Sequence, residues 1–128
     1  MNAQVSDSDP AAYMAAVVLL YVELPETPLS ASIQDRQLAR RLHDRGIPLP
    51  LVESAMLLTS LRRLVRPADL PSLPPIRSLA YFQPVIEELL IHPMPDNYLD
   101  YLRLKLNRFA QGKTASAEVQ KNTLSEER

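Results

Sequence analysis

Two histidines, an adjacent pair of glutamates and a block of arginines are the residues of this 128-residue chain with chemistry to offer. His43 and His92 stand apart, with no HxxxH or HxxE pattern around either. A solvated or capping role suits each better than metal binding, which draws on several ligands at once. Glu87 and Glu88 are neighbours in sequence, but neighbours on a helix point about 100° apart. They cannot share a proton and read as two wet carboxylates. "GKT" at Gly112–Thr114 ends like a phosphate-binding loop, which needs a glycine five residues earlier. Asn107 stands there, inside a predicted helix. Two glycines in the whole chain leave no material for another Gly-rich cradle, and the absence of cysteine removes thiolate and disulfide chemistry. The inventory calls for no catalysis, no metal, no cofactor and no small-molecule substrate.

Arginine is the residue in excess. Seven of them (36, 40, 41, 45, 62, 63, 66) lie between Arg36 and Arg66, against only Asp44 and Glu53. Arg103, Lys105, Arg108 and Lys113 form a second basic group with no acid among them. Eleven of the fourteen basic residues are Arg, a bias that suits planar pairing with phosphate or carboxylate. A GC-rich genome gives the same bias without any function. The net charge of −1 supplies no global field for nucleic acid, so any attraction must be local.

The elements that would position these groups are helices. Leu, Ala and Arg abound, β-branched and aromatic runs are scarce, and twelve prolines fall in clusters between apolar segments. The pattern predicts a single all-α bundle of about five short helices with Pro-rich connectors. Residues 1–8 read as a disordered leader, 9–112 as the helical domain and 113–128 as a disordered tail. The first helix, capped by Asp9 and opened by Pro10, is apolar almost all round and predicts burial or a partner. The second starts at a Ser32–Asp35 capping box, buries Ile33, Leu38, Ala39 and Leu42, and stops at Gly46. The third, "LVESAMLLTSLRRLVR", exposes Glu53, Ser54 and Thr59. Its last turn carries Arg62, Arg63 and Arg66, which complement the negative end of the helix dipole without any ligand. "PADLPSLPP" follows as an extended connector. The last helix is capped by Asp96, has a stripe of Tyr98, Tyr101, Leu102, Leu106 and Phe109, and stops at Gly112. Asp100 is spaced to pair with Arg103.

Pro84, in "IRSLAYFQPVIEELL", would break a helix begun at Ser78. It reads instead as the first residue of a new one, "PVIEELL", with the residue before it biased to extended geometry. "IRSLAYF" is then a separate approach, one turn capped by Ser78. The proline aims Tyr81 and Phe82 away from the Val85–Ile86–Leu89 stripe. Phe82 reads as a core plug, and Tyr81 is the aromatic named for binding, with core plugging as its alternative role.

"LARRLHDRGIPLPLVESAMLLTSLRR", a spacer and "IRSLAYFQPVIEELL" together resemble the helical C-terminal domain of DnaD-type replication proteins and helicase loaders. The likeness covers residues 32–90 and rests on Gly46, Ile47, Val52, Ala55, Tyr81, Phe82, Val85 and Ile86. Pro84 after the aromatic departs from that family's pattern, and no companion winged-helix domain accompanies the segment. The resemblance implies a helical pair followed by an aromatic segment that contributes to single-stranded DNA binding and partner contacts.

Two functions therefore stand. One is a cytoplasmic DNA replication or recombination accessory protein that binds nucleic acid, through Tyr81 stacked on a base and flanked by Arg62, Arg63, Arg66 and Arg77. The other is a non-catalytic protein–protein interaction module, a homodimer through helix one at Tyr13, Val17, Leu20 and Tyr21, with no affinity for nucleic acid. Neither involves a membrane, because the apolar stretch from Ala11 to Val22 is shorter than the roughly 20 residues a span needs.

Overall fold

The computed structural model describes residues 9–109. The leader at 1–8, the Gly112 stop, the "GKT" tripeptide and the tail at 113–128 lie outside them. In chain order the described residues form α1 (Pro10–Val22), α2 (Ile33–Asp44), α3 (Leu49–Leu64), a 3-10 turn (Leu79–Phe82) and α4 (Gln83–Ile91). Residues 98–109 form α5. No strand occurs among the described residues, as the composition predicts for an all-α chain. No helix among them is long and apolar enough to cross a membrane.

α1 begins as its sequence dictates: the Asp9 carboxylate accepts from the Ala11 N–H at 3.0 Å, and Pro10 sits in the first turn. The Thr27 hydroxyl, 2.8 Å from both the Tyr21 and Leu24 carbonyl oxygens, closes the far end. Tyr13, Val17 and Tyr21 form the buried edge of α1 and pack into the chain's own core. Leu20 is half-buried against the same core. This corrects the expected self-association surface, since three of its four members are spent on intrachain packing. The residues α1 does turn outward are Ala11, Ala15 and Leu19.

At the start of α2 the predicted capping box forms in both directions, Asp35 N–H to Ser32 Oγ at 3.0 Å and Ser32 N–H to the Asp35 carboxylate at 2.9 Å. Asp35 is itself buried, and its other oxygen accepts the Leu79 N–H at 2.9 Å, 44 residues away. Ile33, expected inside, is 70% exposed. The inward position of that first turn goes to Asp35 instead. The helix ends in a Schellman arrangement: Gly46 at φ +74° donates to the His43 carbonyl and Ile47 to the Leu42 carbonyl. Ile47 is then drawn into the core, where its carbonyl accepts from the Tyr13 hydroxyl at 2.7 Å.

α3 is the central helix. Val52, Ala55 and Met56 belong to the main core, which also takes residues from α1, α2, the 3-10 turn and α4, while Leu57 and Leu61 meet Leu102 of α5 in a second cluster. Because it is covered on more than one side, Ser54 and Thr59 are buried rather than exposed as expected, and so is Ser60. Thr59 satisfies its hydroxyl on the Ala55 carbonyl at 2.7 Å. Val65 is the C-cap residue and 55% exposed. α5 packs against α3, and the approach to it (Pro93–Asp96) and Leu99 line an open pocket with Pro48, Pro50, Leu51 and Ser54. Tyr98 packs against the Leu57–Leu61–Leu102 cluster, and Arg103 forks onto Glu53 at 2.7 and 2.8 Å. The predicted Asp100–Arg103 pair is present at 3.2 Å.

The Pro84 segment forms a 3-10 turn that runs directly into α4, with Pro84 in the first turn of the new helix. Gln83, the residue before the proline, is αR at φ −58° and ψ −42°, not extended. A change of helix type absorbs the proline here, so no extended break is needed.

Tyr21 lies fully buried, with no hydrogen-bond partner for its hydroxyl among the described residues. Burial, and then the neighbouring Asp35 carboxylate, push its phenol up to about 12. An unfolded tyrosine titrates near pH 10, so above about that pH the unfolded chain has lost a proton that the folded chain keeps. Stability must therefore fall as pH rises from about 10 to about 12. Tyr21→Phe should stay within about 1 kcal/mol of the parent at neutral pH. It should also show a shallower loss over the alkaline window in urea titrations, and an unchanged alkaline limb would contradict this reading.

Candidate nucleic-acid interface

In a 3-10 helix side chains three apart eclipse one another, so Leu79 and Phe82 share one direction. Both point into the core at 0% exposure. Tyr81, one step off that line, is left 43% exposed, its ring edge-on to Phe82 at 5.7 Å between centroids. The segment thus splits its aromatics, with Phe82 in the core role read for it and Tyr81 on the surface.

Tyr81 does not stand free. Arg63 donates to its hydroxyl at 2.9 Å and lies 5.4 Å from the ring centroid. The same guanidinium donates to the Pro74 carbonyl at 2.7 Å and to the Glu26 carboxylate. Its side chain is only 8% exposed. Glu26 is held in turn by its backbone, whose carbonyl accepts the Ile76 N–H at 2.9 Å. At φ +64° it occupies the left-handed region, a strain sustained by contacts on both its backbone and its side chain. Arg63 therefore joins the α1–α2 loop, the connector and the 3-10 turn, and orients Tyr81 from below.

The other arginines named from sequence divide. Arg62 forks onto Glu88 at 2.7 and 3.0 Å. Those hydrogen bonds hold its guanidinium above the ordinary range and the Glu88 carboxyl below its own. Arg66 donates to the Pro71 carbonyl at 3.1 Å, a contact that leaves its charge unneutralised. Arg77 is exposed and has no hydrogen-bond or ion-pair partner among the described residues. Tyr81, Arg63 and Arg77 line one open groove of about 560 Å³, walled by Pro74 and Pro75. Glu26, Arg63 and Arg66 line a second, of about 270 Å³, beside Pro67 and Pro71. The two meet at Arg63. Arg62 lines neither groove.

Glu87 and Glu88 diverge as neighbouring helical residues must. Glu87 takes Arg45 of the α2–α3 loop at 2.7 and 3.2 Å, while Glu88 takes Arg62 of α3. His43 stacks edge-on to Tyr13 at 5.1 Å. No group of three or more His, Cys, Asp or Glu among the described residues could hold a metal ion. No protein-family model, no curated protein and no solved structure matches the chain.

Sequence reasoning missed Glu26 and Pro74 as members of this site. Glu26 lies in "LPETP", where the flanking prolines signal a turn, but nothing local points to a partner 37 residues away. The two adjacent arginines should behave differently on truncation. Arg63→Ala leaves the Pro74 carbonyl and Glu26 without a partner and should cost about 2–3 kcal/mol. Arg62→Ala removes an exposed pair and should cost less than about 1 kcal/mol. Urea denaturation midpoints of the two variants decide, and equal losses would refute the division.

Proposed function

We propose that this chain is a non-enzymatic nucleic-acid-binding accessory module, of the replication or recombination kind its sequence resembles, that takes single strands at Tyr81. The observation that carries the reading is an exposed aromatic ring, oriented from below by a buried arginine, in an open groove beside an unpaired cation. Every base offers a π-face, so a single exposed ring binds without reading sequence, at about 1–3 kcal/mol per stacked base. Arg77 and Arg66 are the cations left for phosphate. Arg63 is a positioning residue, and Arg62 is withdrawn from the contact set because Glu88 neutralises it.

A second reading, a protein-interaction module without nucleic-acid affinity, draws support from the same ion pairs. Arg45, Arg62, Arg63 and Arg103 all spend their charge on carboxylates of the chain itself. The two readings part on one titration of the full chain with a labelled single-stranded oligonucleotide, followed by polarisation at several salt concentrations. Two engaged cations predict a slope of roughly −1.4 in log affinity against log salt. Tyr81→Ala should weaken binding by about 1–3 kcal/mol. Arg77→Ala should reduce the slope by about 0.7, and Arg62→Ala should not weaken binding. Absence of binding at low salt would leave the interaction-module reading in place, and binding indifferent to Tyr81→Ala would overturn the assignment of Tyr81 as the platform.

A further inference from the structure

The pocket that the first turns of α3 share with α4 and the opening of α5 has a volume of about 320 Å³. None of its lining residues belongs to either groove at Arg63. Leu51, Leu89, Met94 and Leu99 supply an apolar wall. Leu89 belongs to the main core and Leu99 packs on the second cluster, so the pocket lies on the seam between the two. Pro48, Pro50, Pro93 and Pro95 complete the wall, and each fixes its own φ and brings no N–H. The lining is therefore stiff and poor in backbone donors, as suits a pocket formed before its ligand arrives. Two polar side chains remain. Ser54 is only 7% exposed, and its hydroxyl makes no hydrogen bond among the described residues. Asp96 is exposed at the rim, and its carboxylate has neither a hydrogen bond nor an ion pair among the described residues.

We infer that this pocket is a binding site for a small aromatic amine that bears a hydroxyl group. The ring lies among the leucines and Met94, whose thioether favours an aromatic neighbour. The ligand's hydroxyl meets Ser54, since a buried hydroxyl without a partner is unfavourable and a ligand group that pairs with it removes that cost. The ammonium meets Asp96. One carboxylate and no cation line the pocket, so a positive ligand is attracted and an anionic one meets like charge. No histidine or lysine lines the pocket to activate Ser54, so the site holds its ligand without transforming it. Nothing in this site depends on Tyr81.

The test titrates the full chain with tyramine, followed by calorimetry and by the NMR signal of the Met94 methyl group. Tyramine should bind about fivefold more tightly than phenethylamine, which lacks the hydroxyl. para-Hydroxyphenylacetate, with a carboxylate in place of the ammonium, should bind most weakly of the three. Ser54→Ala should bring tyramine down to the level of phenethylamine and leave phenethylamine unchanged. Asp96→Asn should weaken both amines by about threefold, and most at low salt. Circular dichroism confirms that each variant is folded, and the three-ligand comparison on the parent chain needs no variant at all. Absence of tyramine binding up to about 10 mM, a level that even a modest ligand efficiency reaches for a molecule of its size, would overturn the site. So would binding that leaves the Met94 signal unmoved. Equal affinity for tyramine and phenethylamine, or for tyramine and para-hydroxyphenylacetate, would overturn the ligand class.

Discussion

A single buried carboxylate organises the region on which everything else rests. Asp35 accepts the Ser32 N–H with one oxygen and the Leu79 N–H with the other, both at 2.9 Å. Each donor belongs to a helix start, where backbone N–H groups have no partner within their own helix. One side chain therefore serves two termini, the second of them 44 residues from Asp35 in the chain. It sets where the approach segment lands on α2. With Leu79 fixed there, the 3-10 geometry sends Phe82 inward and leaves Tyr81 outward. Burial of a carboxylate without such donors would be costly, so the contact is specific as well as favourable.

The arginines are a second system built on the first. Four of them, Arg45, Arg62, Arg63 and Arg103, hold helices and loops to one another. α4 is clamped on both sides, Glu87 to Arg45 and Glu88 to Arg62. α5 is set against α3 by Arg103 and Glu53. Exposed pairs of this kind add little stability each, but they fix the angular setting of short helices that have small cores. Arg63 differs, since its guanidinium lies under the surface and gathers three segments around it. Of the four arginines that resembled a phosphate-binding patch, Arg62 and Arg63 are internal scaffolding. Arg77 remains beside the exposed Tyr81 ring, in the same groove.

Much of the fold was legible because it is written locally. Asp9–Pro10, Ser32–Asp35 and Gly46 each act within a few residues, and each marks a helix boundary that the structure has. The errors arise where a distant partner decides. Ile33 has the spacing of a core residue, yet Asp35 takes the inward place because Leu79 lies opposite it. Ser54 and Thr59 look like surface residues until α5 and the rest of the core close round α3. Gln83 precedes a proline, but the 3-10 turn before it already supplies the change in direction. At the candidate site, the exposure of Tyr81 follows from the segment's own geometry and was open to sequence reasoning. The capture of Arg62 by Glu88 and of Arg63 by Glu26 was not, since both pairings join separate elements of the chain.

The hold of Asp35 on the approach segment is reported directly by the amide of Leu79. Hydrogen exchange read at this single amide should be slow in the intact chain, comparable with the central residues of α3. In Asp35→Ala it should quicken well beyond them while the α3 amides stay protected. Fast exchange at Leu79 in the unaltered protein, or protection indifferent to the loss of the Asp35 carboxylate, would contradict the account.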